Sequence, residues 1–235
     1  MKKIAIIPAR GGSKRIPRKN IRSFNGKPMI SWSIQAAIDS HSFDAILVST
    51  DDEEIASIAR DAGAVTPFLR PKEISGDHTA VMPVLAHAVE WWCENRFNID
   101  FACCIYATAP FINPTTLSNS LELLTNTDAD FVLAVTKFNY PVQRSLRLDD
   151  QNLLKFVEPE NALARSQDLE TRYHDAGQFF AGRRNAFIRN ESVLRGRCLP
   201  VVVAKDEAVD IDTEEDWRIA EKLFLLRSYP KIKID

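Results

Sequence analysis

The sequence predicts an α/β fold: a mostly parallel sheet with helices on both faces. Two observations carry that reading. From Lys3 to Thr136, short apolar runs rich in β-branched residues alternate with longer amphipathic runs, which is the pattern of parallel strands joined by crossover helices. The chain also has 235 residues, of which 45% are hydrophobic and 26% charged. That is enough for one such domain with a substantial core.

Lys3 to Ile7 reads as the first strand, and Ile30 to Ile38 as the first helix. Between them lies Arg10-Gly11-Gly12-Ser13-Lys14-Arg15-Ile16-Pro17-Arg18-Lys19-Asn20. It holds two glycines and the cations Arg10, Lys14, Arg15, Arg18 and Lys19, with no acid among them. Glycines let backbone N–H groups approach an anion and the cations neutralise it, so the loop suits a polyphosphate. The spacing is neither G-x-x-x-x-G-K-[ST] nor G-x-G-x-x-G. The plain alternative is a solvated basic loop. Its place after the first strand of an α/β chain, where ligands bind, favours the phosphate.

Phe43 to Thr50 is the second strand, and Asp51-Asp52-Glu53-Glu54 opens a helix to about Ala62. Glu53 and Glu54 there suit the helix dipole, whereas Asp51 sits where a strand ends and a ligand could lie. Gly63 to Val65 predicts a short third strand ended by Pro67, and Leu69 to Thr79 a loop. Thr79 to Arg96 is a helix with Val81, Val84, Leu85, Ala88 and Trp92 inward and Pro83 in its first turn. Phe101 to Tyr106 is a central strand, Pro114 opens a helix to about Leu124, and Asp130 to Thr136 is the next strand.

The alternation breaks from Lys137 to Arg189, which reads as a β-containing excursion from the main sheet. An excursion of that length usually serves as a lid or a subunit contact. Leu199 to Ala204 is a further strand, and Thr213-Glu214-Glu215-Asp216 caps a last helix. Before it, Val209-Asp210-Ile211-Asp212 reads as extended, which places both carboxylates on one side. Either Asp212 caps the helix and Asp210 is solvated, or the pair holds a hard cation such as Mg²⁺. A polyphosphate loop elsewhere in the chain favours the cation.

Net charge is −2, which argues against a general nucleic-acid binder. The first apolar run is too short for a signal peptide, and no run reaches membrane-spanning length. The expectation is a cytoplasmic protein, with Cys93, Cys103, Cys104 and Cys198 as reduced core thiols. His78 and His87 lack a partner histidine at ligand spacing and read as structural or exposed.

The stretch Ile7 to Asn20 resembles the opening signature of the CMP-sialic acid synthetases, the cytidylyltransferases of nonulosonic acids. Val48-Ser49-Thr50-Asp51, Leu69-Arg70-Pro71 with Asp77, and Asp210-Ile211-Asp212-Thr213 with Asp216 follow in that family's order. The resemblance covers nearly the whole chain. It implies a Rossmann-like nucleotide-binding domain over residues 1–136 and 190–235, with an inserted dimerisation and sugar-binding arm over 137–189. It implies a Mg²⁺-dependent reaction of CTP with a nonulosonic acid, giving a CMP-sugar and pyrophosphate, in a homodimer.

By the same resemblance, Arg10, Gly11, Gly12, Ser13, Lys14, Lys19, Asn20, Arg70, Asp77 and Thr79 would bind CTP. Asp210 and Asp212 would hold the metal and, with Arg10 and Lys19, form the catalytic set. Tyr106, Arg144, Arg165, His174, Asp175, Gln178 and Phe179 would bind the sugar, with Arg165 and then Arg144 facing its carboxylate. The chain departs from the sialic acid members at Ile105 to Pro110 and at Asp175-Ala176-Gly177. With Tyr173 to Phe179, those departures resemble the subgroup acting on pseudaminic acid. The alternatives are the same reaction on legionaminic, N-acetylneuraminic or 3-deoxy-manno-octulosonic acid, or a CTP-binding protein without catalysis.

Overall fold

The computed structural model of the chain describes residues 1–190 and 192–228. Residues 191 and 229–235 of the predicted nucleotide-binding portion lie outside these.

The chain opens with β1 (Lys3–Pro8), a small hairpin of β2 (Ser23–Phe24) and β3 (Lys27–Pro28), and α1 (Met29–Asp39). It continues with β4 (Ala45–Ser49), α2 (Glu53–Asp61), α3 (Val81–Asn95), β5 (Phe101–Ile105), α4 (Pro114–Thr125) and β6 (Phe131–Lys137). After these come β7 (Leu146–Leu148), β8 (Leu154–Phe156), β9 (Tyr173–Arg183), α5 (Arg184–Ile188), β10 (Cys198–Val202) and α6 (Glu214–Ser228).

Among the described residues the main sheet has six strands in the order β10-β6-β9-β5-β1-β4. All neighbours are parallel except β9, which runs antiparallel to β5 and β6. Ile4 to Ile7 and Phe101 to Ile105 are buried throughout, as strands covered on both faces must be. One face packs on Ile30 and Ile34 of α1, Ile55 of α2 and Leu117 and Leu121 of α4. The other packs on Leu85, Val89 and Trp92 of α3 and Phe187 of α5. Of the inward set expected for α3, Val84, Leu85, Ala88 and Trp92 are buried, while Val81 is half-buried at its first turn.

Helix starts follow the local chemistry. The Asp52 side chain accepts from Ile55 N and caps α2. Asn113 caps α4 ahead of Pro114. Thr213 caps α6 in a reciprocal box with Asp216, so Asp212 is not spent on capping.

Two expectations are corrected. The strand expected at Gly63 to Val65 is reduced to isolated bridges, Leu47 with Val65 and Thr50 with Leu69. Pro67 between them has no N–H to give a ladder. The expected excursion over 137–189 returns to the sheet early: β9 inserts between β5 and β6. Its polar first half, Tyr173 to Asp175, is exposed, while Gln178 to Gly182 is buried. That mixed composition hides a central strand. Residues 138–172 are what leaves the sheet, carrying the β7–β8 hairpin.

Candidate active site

The site lies at the carboxyl ends of β1, β4 and β5. The chain leaves β1 for β4 on one side and later enters β5 on the other, and crevices in open α/β sheets form at such reversals.

The basic loop is fixed from three directions. Ile16 is fully buried with Phe24, Ile211 and Trp217. Asn20 Nδ2 donates to the Arg10 carbonyl at 2.9 Å and closes the loop on itself. Gly11 N donates to Asp51 Oδ1 at 3.0 Å, while Arg18 pairs with both Asp52 and Glu54. A Cβ on Gly11 would lie 2.6 Å from Asp52 Oδ2. Glycine therefore fits against Asp52 at the cap of α2, and its N–H is taken by the Asp51 carboxylate and does not face the cleft. Gly12 has open space around it, and neither glycine lines the cleft. Arg18 adopts φ 55°, an uncommon conformation away from glycine.

A cleft of about 510 Å³ is lined by Arg10, Ser13, Lys14, Lys19, Asn20, Arg70, Asp77, Thr79 and Tyr106, all expected, together with Arg15, His78 and Thr108. Arg10 Nη1 donates to Asp77 at 2.7 Å, and Lys14 pairs with the other oxygen of the same carboxylate. The Lys14 hydrogen bond, helped by the Arg10 charge, holds the Asp77 carboxyl below its ordinary range. Arg70 is buried and donates to the Ser49 carbonyl. Burial and the nearby Arg10 lower its pKa, against the pull of Asp51.

A second pocket of about 370 Å³ adjoins the first and is lined by Lys19, Tyr106, Thr108, Asp175, Gly177, Asp210 and Asp212. The segment expected to be extended is irregular, yet both aspartates reach one pocket because Ile211 between them is buried. Lys19 Nζ donates to the Ile211 carbonyl at 2.6 Å and to Asp212 Oδ1 at 3.2 Å, and Arg15 pairs with the same oxygen at 2.9 Å. Burial pushes the Asp210 carboxyl up, and the Asp212 charge adds to it. Gly177 takes φ 64°, the left-handed region that favours glycine, where β9 passes beside Asp210.

Two carboxylates at this spacing, both oxygen donors and mutually repulsive, fit a hard divalent cation completed by phosphate oxygens. Among the described residues no three His, Cys, Asp or Glu side chains converge closely enough to hold a metal ion, Asp175 lining the pocket without joining the pair.

The predicted sugar residues divide. Tyr106 and Asp175 line the pocket. Tyr106 is positioned by backbone bonds, its N–H to the Gln178 carbonyl and its carbonyl from Ser33 Oγ. Burial raises its phenol pKa, so it stays neutral. Gln178 is buried and donates to the Glu207 carbonyl, bracing the segment that leads to Asp210. His174 is exposed, with Nδ1 at 2.8 Å from the Asp175 carbonyl and its ring against Phe138. Phe179 is fully buried in the core; alternation along β9 turns Phe180 to the other face instead. Arg144 and Arg165 are exposed on the arm and line neither pocket of their own chain.

Arg15, counted among the loop cations but given no binding role, lines the cleft together with His78 and Thr108, and Gly177 lines the second pocket; for His78, Thr108 and Gly177 the sequence offers only their place in loops or in a polar stretch.

Residues 4–227 match a family model described as cytidylyltransferase. The chain is 40% identical over 224 residues to a pseudaminic acid cytidylyltransferase of Campylobacter jejuni, covering 95% of this chain and 97% of that protein. It is 32% identical over 233 residues to the CMP-N,N'-diacetyllegionaminic acid synthase of Legionella pneumophila, covering 96% and 97%. The fold matches a CMP:2-keto-3-deoxy-manno-octonic acid synthetase solved with CTP, at a TM-score of 0.71 and 18% identity over 97% of this chain and all of that one. Among the described residues no helix is long and apolar enough to cross a membrane. A match over nearly the full length, on a sheet whose strand ends carry a cationic loop facing a carboxylate pair, makes this chain a member of the cytidylyltransferase family.

Proposed function

We propose that the protein transfers a cytidylyl group from CTP to pseudaminic acid, giving CMP-pseudaminic acid and pyrophosphate. The observation that carries it is the junction at Lys19, which lines both the cationic cleft and the carboxylate pocket. A triphosphate in the first and a sugar acid in the second would meet there.

The C2 hydroxyl of the sugar attacks the α-phosphorus, the bond to the β-phosphate oxygen breaks, and pyrophosphate leaves. Such a transfer needs positioning and charge neutralisation more than covalent help. Arg10, Lys14 and Lys19 hold the triphosphate and balance the charge that collects on pyrophosphate. Asn20 holds the loop closed, and Arg70 with Thr79 shapes the floor where the base sits. Asp210 and Asp212 would hold Mg²⁺, which supplies polarisation of the α-phosphate and of the attacking hydroxyl.

Arg165, with Arg144 second, pairs with the sugar carboxylate from the arm of a second copy, since neither reaches the pockets of its own chain. The protein is on this reading a homodimer joined through residues 138–172. Free thiols at all four cysteines fit the reducing cytoplasm, where the reaction takes place. The pseudaminate assignment rests on similarity to the Campylobacter protein. Legionaminic acid is the second reading, on similarity to the Legionella one.

The test is pyrophosphate release with CTP and Mg²⁺ against pseudaminic, legionaminic, N-acetylneuraminic and 3-deoxy-manno-octulosonic acids. Release with pseudaminic acid alone is expected. Release with another acid keeps the reaction and moves the sugar. CTP binding without release from any of them rejects catalysis.

A further inference from the structure

We propose that His87 of α3 is a positioning residue for Arg70: its Nδ1, together with Ser49 Oγ, holds one internal water that accepts the Arg70 Nε–H and fixes the guanidinium at the floor of the cleft. This deepens the function proposed above and rests on the base sitting at Arg70. Among the described residues, Ser49 Oγ, Arg70 Nε and His87 Nδ1 are buried without a hydrogen-bond partner. Each buried polar atom left so costs free energy, and the fold brings all three to one region. Leu47 packs on the α3 side of the sheet and Val48 on the other, so alternation along β4 turns Ser49 toward α3. Arg70 donates through Nη2 to the Ser49 carbonyl and lines the cleft together with Val84 of α3. His87 follows Val84 by one helical turn on the same face. Its ring meets that of Phe68 edge-on, with centroids 4.9 Å apart, in the segment that leads to Arg70.

An internal water is held where it finds about three polar partners. These atoms supply them: Nε–H donates, a neutral Nδ1 accepts, and the hydroxyl does either. With Nη2 given to the Ser49 carbonyl and Nε to the water, Nη1 is left for the ligand. The acceptor role requires His87 to be neutral. Burial lowers its pKa, while Glu90 on its own helix raises it and Arg70 lowers it further. Facing α3 from the other elements, β1 presents Ile4 and Ile6, and α5 presents Ala186 and Phe187. Beyond Arg70, the Asp51 and Arg10 charges act on that guanidinium in opposite directions. A proton on Nδ1 therefore removes the acceptor and sets a second cation against Arg70.

The experiment crosses two substitutions. His87→Phe keeps a ring against Phe68 and removes the acceptor. His87→Asn keeps an acceptor close to the place of Nδ1 and removes the ring. His87→Phe should raise KM for CTP about tenfold with kcat within about twofold, and His87→Asn should keep both within about threefold. As pH falls from about 7 to about 5.5, KM for CTP should rise more in wild type than in His87→Asn, which has no imidazole to protonate. The terminal phosphate of CTP titrates at about pH 6 as well, but equally for both proteins. A crystal structure of the wild-type protein should show one water in contact with all three atoms. A normal KM for CTP in His87→Phe overturns the positioning role, and an equally weak His87→Asn makes His87 a packing residue. A wild-type pH profile parallel to that of His87→Asn overturns it too, as does a dry gap between the three atoms. If either variant fails to fold, the wild-type crystal structure decides. A wild-type protein that neither binds CTP nor turns it over overturns the proposed function itself, and the role of His87 with it.

Discussion

Arg10 and Lys14 both pair with one carboxylate, Asp77, at the mouth of the cleft. On the function proposed above, Asp77 occupies cations that a triphosphate would need, and an incoming nucleotide would take its place. The Asp77→Asn variant removes that competition at little cost in shape. CTP should bind it about two- to fivefold more tightly, in keeping with a solvent-exposed ion pair. Isothermal titration with CTP checks this, and weaker binding would show that Asp77 orients the cations instead of blocking them. Asp210 presents the opposite case. Its carboxyl is raised by burial and by Asp212, so its charge is a burden on the folded state at neutral pH. Asp210→Asn should leave Tm equal or higher. It should still lower kcat by about a hundredfold or more, because it breaks the donor pair proposed above for a hard cation. A parallel loss of Tm and activity would make Asp210 a structural residue. Thermal unfolding and turnover on the same preparation separate the two.

At the scale of elements, α2 anchors the basic loop. Asp52 caps the helix through Ile55 N and also pairs with Arg18, and its carboxyl is held low chiefly by the Arg18 hydrogen bond. Removing the side chain in Asp52→Ala costs a cap worth about 1 kcal/mol, plus a partly exposed ion pair worth less. Tm should fall by about 2–6 °C for a chain of this size. The pH dependence follows from the depressed pKa. The stabilisation is complete above the unfolded carboxyl value of about 3.9 and is lost as pH falls through the lower folded value. Differential scanning calorimetry from pH 7 down to 3 should show the gap between wild type and variant closing only at the acid end. A gap of constant size would leave capping by shape alone. This anchor was half legible beforehand. Acids at the start of α2 announced capping, and cations in the loop announced an anion site. That Arg18 and Gly11 turn toward those acids depends on two segments 34 residues apart meeting in space, which local spacing does not encode. β9 was missed for a related reason. Its polar half faces solvent and its glycine breaks the alternation, so only the pairing with β5 and β6 reveals a central strand. The runs that became β1 and β5 were legible because burial on both faces leaves an uninterrupted apolar string.

At the scale of the whole molecule, the arm carries apolar surface that one chain leaves uncovered. In the β7–β8 hairpin, Leu146 pairs across to Phe156 and Leu148 to Leu154, with Arg147 opposite Lys155. Alternation places the four apolar side chains on one face and the two cations on the other. Leu146, Leu148, Leu154 and Phe156 are all exposed, and a two-stranded hairpin is marginal in water unless such a face is covered. In the homodimer proposed above, a second copy of the arm would cover it with the same chemistry, as a two-fold contact requires. The double substitution Leu148→Asp with Leu154→Asp puts opposed like charges at the centre of that face, and those repel as well as exposing the contact to water. Sedimentation velocity should show a dimer for the native chain and a monomer for the variant. The cleft around Arg10 and Lys19 is built within one chain, so the monomer should bind CTP normally. Arg165 and Arg144 travel with the arm, so the monomer should lose turnover and its response to the sugar acid. A native chain that sediments as a monomer would sink the contact. A monomeric variant with full turnover would keep the contact but remove the arm from the chemistry, leaving the sugar carboxylate to a cation of the same chain, with Arg15 on the rim of the cleft the next to test.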